Sequence, residues 1–302
     1  MIHIAFGNFD KRMNLKTIEN DFLKLSISDL GAEMKSLLTK KDNKEWLWQA
    51  DPEYWPRTAP ILFPIVGKLA DNQYLHHEHP YPLSQHGFAR DRIFENVESH
   101  PEHTKFKLVS DYESRKFYPF DFELFVGYNL AKNWLWIEYE VLNTGTEEMF
   151  FSVGAHPGFA LPGWPHQKYY INFEEPDILN PYLLNNGLLQ NQKDSEVEIP
   201  NNELLISNSL FEKDALVLDQ LRSTWVGIRS EALDHNLKVH FEGFPYLGLW
   251  AKPGAPFVCI EPWYGHADFV GLSGEISKKP AILQLKPEQN FHCRFAIEIL
   301  NF

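Results

Sequence analysis

The sequence predicts an all-β fold, a large sandwich of antiparallel sheets with few short helices, on three observations. Alternation of apolar and polar residues with period 2 recurs in short runs along the chain, as strands with one buried face require. The 20 prolines and 17 glycines are spread throughout, which leaves little room for helices of ordinary length. Turn signals separate the runs at short intervals, the spacing of a sandwich rather than of alternating strands and helices.

Leu23 to Ile27 is the first strand-like run, and Lys105 to Val109 follows. "FELFVGYNL" (122–130) and "NWLWIEYEVLN" (133–143) form the clearest pair. In the second of these Leu135, Ile137, Tyr139 and Val141 share one face and Trp136, Glu138 and Glu140 the other, so a hairpin closed at "AKN" is expected. Further strands are expected at Phe150 to Val153, Tyr169 to Phe173, Leu216 to Leu218, Trp225 to Arg229 and Leu237 to Phe241. Leu247 to Ala251, Phe257 to Ile260 and Phe291 to Ile299 complete the set. Only "DPEYW" (51–55) and "NSLFEKDAL" (208–216) suggest a helical turn. Residues 184–203, "LNNGLLQNQKDSEVEIPNNE", read as a surface excursion. No repeat period, low-complexity tract or composition break divides the 302 residues, so one domain spanning 1–302 is expected.

The charge balance narrows the partners. A formal net charge of −13 with no compensating Lys/Arg run repels phosphate backbones and anionic headgroups, so neither nucleic acid nor a membrane surface is expected as a partner. Cys259 and Cys293, the only cysteines, lie in apolar strand-like runs, which suits buried thiols in a reducing compartment. The N-terminal stretch "MIHIAFGNFDKRMNLK" is broken by polar residues before a signal-type apolar core forms, and no run of 18 apolar residues occurs. A cytoplasmic location is the expectation.

Three stretches combine titratable residues with glycine, proline and aromatics: "SQHGFARDR" (84–92), "SVGAHPGFALPGW" (152–164) and "FVCIEPWYGHAD" (257–268). His156 and Glu261 each precede a proline, which pushes the backbone toward an extended form, so both are expected at the ends of strands on a stiff main chain. That placement suits an acid–base pair, whose heavy atoms must stay within hydrogen-bond reach of the proton they move. Glu261 leaves an apolar run and is followed by Trp263 and Tyr264, surroundings that raise a carboxyl pKa toward neutrality. "HHEH" (76–79) reads as a polar turn rather than a metal site, because neighbours on an extended chain point apart and no metal-ligand spacing is present. There is also no phosphate loop, dinucleotide fingerprint or nucleophile elbow. Trp46, Trp48, Trp55, Trp164, Trp250 and Trp263 offer flat faces suited to sugar rings, with about half of them expected to fill the core instead.

At "RTAPILFPIVGKL" (57–69), "SQHGFARD" (84–91), "AHPGF" (155–159) and "IEPW" (260–263) the sequence resembles the aldose 1-epimerase (galactose mutarotase-like) superfamily, most closely its LacX-type subgroup. The resemblance implies a β-supersandwich and a cofactor-independent isomerase that interconverts the α and β anomers of a hexose, with no metal. It makes Glu261 the general base toward the C1 hydroxyl and His156 the general acid toward the ring oxygen. It makes His86 a substrate ligand, with Gly87 turning the chain past the sugar and Phe88 packing beneath it. Asp214, or the nearby Asp219, takes the place of the sugar-binding aspartate. Lys68 stands where galactose mutarotases carry an arginine. Arg57 and Arg90 also resemble the phosphate-binding arginines of hexose-6-phosphate mutarotases, so the expected substrate is a small-molecule sugar or a sugar phosphate. A carbohydrate-binding or sensing protein without turnover is the alternative from another class; the presence of both Glu261 and His156 favours an enzyme.

Overall fold

The alternation in residues 134–143 becomes the strand Trp134–Asn143, with Leu135, Ile137, Tyr139 and Val141 buried. It pairs along its whole length with Phe122–Ala131, and Lys132 takes the left-handed backbone (φ 55°) of a tight turn between them. The computed structural model describes residues 14–231 and 236–300; the stretch 1–13, most of the segment read for a signal core, lies outside the described residues.

That hairpin belongs to a nine-stranded sheet. Its spatial order is Glu203–Leu205, Tyr169–Phe173, Trp225–Ser230, Asn236–His240, Asn290–Leu300, Trp134–Asn143, Phe122–Ala131, His103–Val109 and Glu95–Ser99. A second sheet runs Leu188–Lys193, Tyr182–Asn185, Leu216–Asp219, Tyr246–Trp250, Phe257–Tyr264, Val153–Ala155 and Ile61–Leu62, with Gly158–Ala160 also paired to Phe257–Tyr264. Every pairing in the two sheets is antiparallel. Leu135, Ile137, Val239 and Ile297 of the first sheet share one apolar cluster with Leu247, Leu249, Val258 and Ile260 of the second, which makes the architecture the expected large antiparallel sandwich. A four-stranded meander, Leu15–Glu19, Leu23–Ser28, Met34–Thr39 and Lys44–Glu45, adds Leu25, Ile27 and Leu37 to the same cluster.

Several expectations need correction. The run Phe150 to Val153 is two strands in different sheets, Met149–Phe151 and Val153–Ala155. "DPEYW" makes turns only, and "NSLFEKDAL" keeps one 3-10 turn, Asn208–Phe211. The α-helix among the described residues is a single turn, Tyr112–Arg115, set by a reciprocal cap in which Ser114 N–H donates to Asp111 Oδ1 (2.6 Å) and Asp111 N–H to Ser114 Oγ (2.8 Å). Of residues 184–203, only 194–202 remain loop and a 3-10 turn. Tyr182–Asn185 and Leu188–Lys193 are a hairpin on the edge of the second sheet. Both cysteines are buried and unpaired. No helix among the described residues is long and apolar enough to cross a membrane.

Strand Phe257–Tyr264 is buried on both faces, which explains its nearly unbroken apolar sequence. Val258 and Ile260 point into the shared core, whereas Phe257, Cys259 and Trp263 join smaller clusters on the opposite face. Period 2 puts Glu261 on that opposite face as well.

Candidate active site

Val153–Ala155 pairs with the long strand at Gly154↔Trp263, and Gly158–Ala160 pairs with it at Gly158↔Cys259. The two pairings share one register, and the ladder lapses between them. Continued through the lapse, that register sets His156 opposite Glu261. His156 Nε2 lies 3.3 Å from Glu261 Oε2. His156 sits just past its strand end, as expected, but Glu261 is inside a strand that runs on to Tyr264. Ile260 N–H donates to Pro157 O (3.3 Å), and the same register sets Pro262, which has no N–H, against Ala155, whose carbonyl accepts from Trp263 Nε1–H instead (3.2 Å).

Both groups are buried, with Glu261 1% and His156 9% exposed. Burial raises the Glu261 carboxyl well above the usual carboxylate range, and the Asp214 carboxylate adds to the rise. Burial also pushes the His156 imidazole down to about 3, helped by the positive charges of Arg90 and Arg57. Both shifts favour the uncharged form of each group. Glu261 Oε2 and His156 Nδ1 have no hydrogen-bond partner among the described residues, so both are ready to receive one. Trp55 stacks on the His156 ring at 4.8 Å, and Trp250 meets it edge-on at 5.7 Å.

His86 holds the left-handed backbone (φ 67°), which is uncommon for a residue with a side chain, and two bonds to Gly67 keep it there. Its N–H donates to Gly67 O (2.8 Å), and Gly67 N–H donates to His86 Nδ1 (3.1 Å). Nδ1 is thus an acceptor, the proton of the neutral ring sits on Nε2, and His86 is a donor on that side. The Gln85 amide nitrogen lies 3.3 Å from His86 Nε2, and the amide would have to turn its oxygen inward to accept that proton. The ring meets His156 edge-on at 5.6 Å.

A cavity of about 340 Å³ opens over these groups, at the small end of the range of ligand pockets. His156, Glu261, His86, Arg90 and Asp214 line it, with Trp55, Trp250 and Trp263 as aromatic walls. Arg57 and Lys68 do not. Arg57 reaches Asp91 at 2.7 Å, and Lys68 Nζ donates to Asn186 O at 3.1 Å. Of the two aspartates, Asp214 lines the cavity, whereas Asp219 lies outside the lining and is bonded by Tyr182 (3.0 Å) and Lys193. Gly87 is required by the close approach of Phe63 rather than of a ligand, since a Cβ there would fall 2.2 Å from Phe63 O. Phe88 packs on the main core, outside the cavity lining, and Arg92 pairs with Asp111 at 3.6 Å. Of the remaining tryptophans, Trp46 is in the main core, Trp48 in a cluster with Phe257 and Cys259, and Trp164 packs against the main core.

Sequence reasoning missed Gln85 and the wall formed by Leu184, Gly187 and Leu189. "NNG" carried the signal: Asn186 (φ 51°) and Gly187 (φ 80°) form the two-residue turn that Asn-Gly favours between the paired Asn185 and Leu188. At "HHEH" the turn is real, but the expectation that neighbouring rings point apart fails. His77 and Glu78 both have positive φ (51° and 65°), and the rings of His76 and His77 approach to 4.1 Å.

A family model described as Aldose 1-epimerase matches residues 14–279. Protein LacX (plasmid) of Lactococcus lactis subsp. lactis is 32% identical over 296 residues, covering 94% of this chain and 99% of the relative. The X-ray structure of a galactose mutarotase related enzyme from Lactobacillus acidophilus superposes with a TM-score of 0.90 at 35% identity, covering 95% of this chain and 98% of the other. A galactose mutarotase-like protein from Lactobacillus casei ATCC 334 gives 0.87 at 30% identity, covering 94% and 99%. With a facing carboxyl and imidazole at the floor of an aromatic-walled cavity, and with this match over most of its length, the chain belongs to the aldose 1-epimerase family of isomerases.

Proposed function

We propose that the protein equilibrates the α and β anomers of a free hexose, with Glu261 and His156 carrying the proton. The observation that supports this most directly is the 3.3 Å approach of the two groups at the base of the cavity. A C1 hydroxyl donating to Glu261 Oε2 supplies the hydrogen bond that this oxygen lacks and lowers the carboxyl pKa. The carboxyl proton then passes to His156. Glu261 takes the C1 hydroxyl proton while His156 protonates the ring oxygen, and the C1–O5 bond breaks to leave an open-chain aldehyde. Rotation about C1–C2 and reclosure on the other face run the same transfers backward. Each positioned transfer is worth about 10² to 10⁴ in rate.

His86 Nε2–H, Arg90 and the Asp214 carboxylate are the proposed sugar ligands, and the three tryptophans pack on the ring. The phosphosugar reading draws less support. Arg90 lines the cavity, but Arg57 is engaged by Asp91, and Asp214 places negative charge at the mouth. The reducing cytoplasm remains the proposed workplace, on the strength of two buried free thiols. Polarimetry or exchange NMR on freshly dissolved α-glucose and α-galactose, beside their 6-phosphates, tests the reading. Faster equilibration of the free sugars is expected. Acceleration confined to the phosphates would replace it with the phosphosugar enzyme, and binding without acceleration would replace it with a sensing protein.

A further inference from the structure

We propose that His156, Cys259 and Glu261 together form a site for a thiophilic divalent cation, Zn²⁺, whose binding switches off the proton-transferring pair. The regulatory half rests on the mechanism just given; the binding half does not. One ligand atom from each residue, an imidazole nitrogen, a thiol sulfur and a carboxyl oxygen, lies within 4.8 Å of the other two. Tetrahedral zinc holds nitrogen, oxygen and sulfur at about 2.0 to 2.3 Å, which separates the ligand atoms by about 3.3 to 3.8 Å. His156 Nε2 and Glu261 Oε2 already stand at 3.3 Å. A side-chain movement of about 1 Å brings the sulfur in.

The sheet explains the cluster. Cys259 and Glu261 are two residues apart on one strand and so share a face, while His156 lies opposite Glu261 in the lapse between the two strands paired there. Cys259 stands across from Gly158, where Trp48 and Trp55 fill the space a side chain would take. His156 and Glu261 line the cavity and Cys259 lies outside its lining, which leaves the fourth coordination position open to a cavity water. Glu261 Oε2 and His156 Nδ1 have no partner among the described residues, although the Glu261 side chain is 2% exposed.

Charge favours the exchange. A thiol and a carboxyl each give up a proton on becoming metal ligands. On binding, the S–H and carboxyl O–H protons go to solvent, the cation sheds water, S–Zn and O–Zn bonds form, and the imidazole gives its lone pair. Two protons leave for one dication, so the buried charge is unchanged. A sulfur ligand selects Zn²⁺ over Mg²⁺ and Ca²⁺, which take oxygen. With both lone pairs engaged, neither residue can accept a sugar proton.

The surface trio His76, His77 and Glu147 also brings ligand atoms within 4.8 Å, so the test uses untagged His77→Asn protein, in which that trio is broken and asparagine tolerates the left-handed backbone. Co²⁺ serves as the spectroscopic probe and Zn²⁺ as the inhibitor. A thiolate-to-cobalt charge-transfer band in the near ultraviolet is expected, together with Zn²⁺ inhibition of anomer equilibration that a chelator reverses. Cys259→Ala on that background is expected to equilibrate sugar as before, to lack the band, and to need at least tenfold more Zn²⁺ for half-inhibition. A missing band, turnover unaffected by bound metal, or equal inhibition of the alanine variant overturns the proposal. Should the protein prove to have no mutarotase activity, the cobalt band still decides the binding site, so the two failures are told apart.

Discussion

At the residue scale the pair His156 and Glu261 makes opposite demands on one environment. Burial disfavours the charged form of each, so the carboxyl rises and the imidazole falls. Glu261→Gln and His156→Asn are each expected to slow equilibration by about 10² to 10⁴, read by polarimetry at saturating sugar. Retention of half the wild-type rate in either would remove that residue from the chemistry. Asp214 is different, since it is exposed at the mouth and uses one oxygen to accept from Ala215 N–H (2.8 Å). Asp214→Asn should raise KM by about 10-fold or more with a smaller change in kcat, as loss of a charged hydrogen bond of about 1.5 kcal/mol implies. The two catalytic candidates were legible because each precedes proline and follows an apolar run. The tethering of Arg57 and Lys68 was not, because Asp91 and the Asn186 carbonyl are distant in sequence.

At the element scale the site depends on a sheet whose outer face is itself covered. Gly248 lies opposite Glu261 on the neighbouring strand, and a Cβ there would stand 2.4 Å from the Trp263 ring. Gly248→Ala is therefore expected to displace the tryptophan wall and destabilise the fold by about 1 to 3 kcal/mol, measured by denaturant unfolding. An unchanged midpoint with unchanged KM would show that the ring yields freely. The hairpin Tyr182–Asn185 with Leu188–Lys193 closes the cavity and is tied by Lys68 at its turn and by Lys193 to Asp219 at its base. Lys68→Ala should raise KM by about 2- to 10-fold while leaving kcat near wild type, since one hydrogen bond of about 0.5 to 1.5 kcal/mol holds the wall and none reaches the reacting atoms. Period 2 announced most of the longer strands, but not Leu15–Glu19, Met34–Thr39 or short strands such as Lys44–Glu45 and Ile61–Leu62. The edge hairpin was misread because its strands are mostly polar or half-exposed and only the Asn-Gly turn announced it.

At the scale of the whole molecule, the shared core of both sheets leads us to propose that the chain unfolds as one unit. Far-ultraviolet circular dichroism and tryptophan fluorescence should then give coincident transitions, and two separated transitions would divide it. Acid should weaken that unit. His266 is buried and its imidazole is pushed down to about 4 from 6.5, chiefly by desolvation. Between those values the unfolded chain binds a proton that the folded chain refuses, so stability is full above pH 6.5 and falls as pH drops, by about 3 kcal/mol from this residue once pH reaches 4. The slope of unfolding free energy against pH in that window should be shallower in His266→Asn. The sequence by itself determined the all-β class, the longer strands and the two candidate residues His156 and Glu261, because period 2, proline and apolar flanks are local properties. Only the tertiary structure decided that His156 and Glu261 face each other, that Asp214 rather than Asp219 reaches the cavity, and that a cysteine lies beside them. Those facts follow from the register between strands about a hundred residues apart, and no local pattern encodes a register that the core and its lapse at Pro157 and Pro262 fix together.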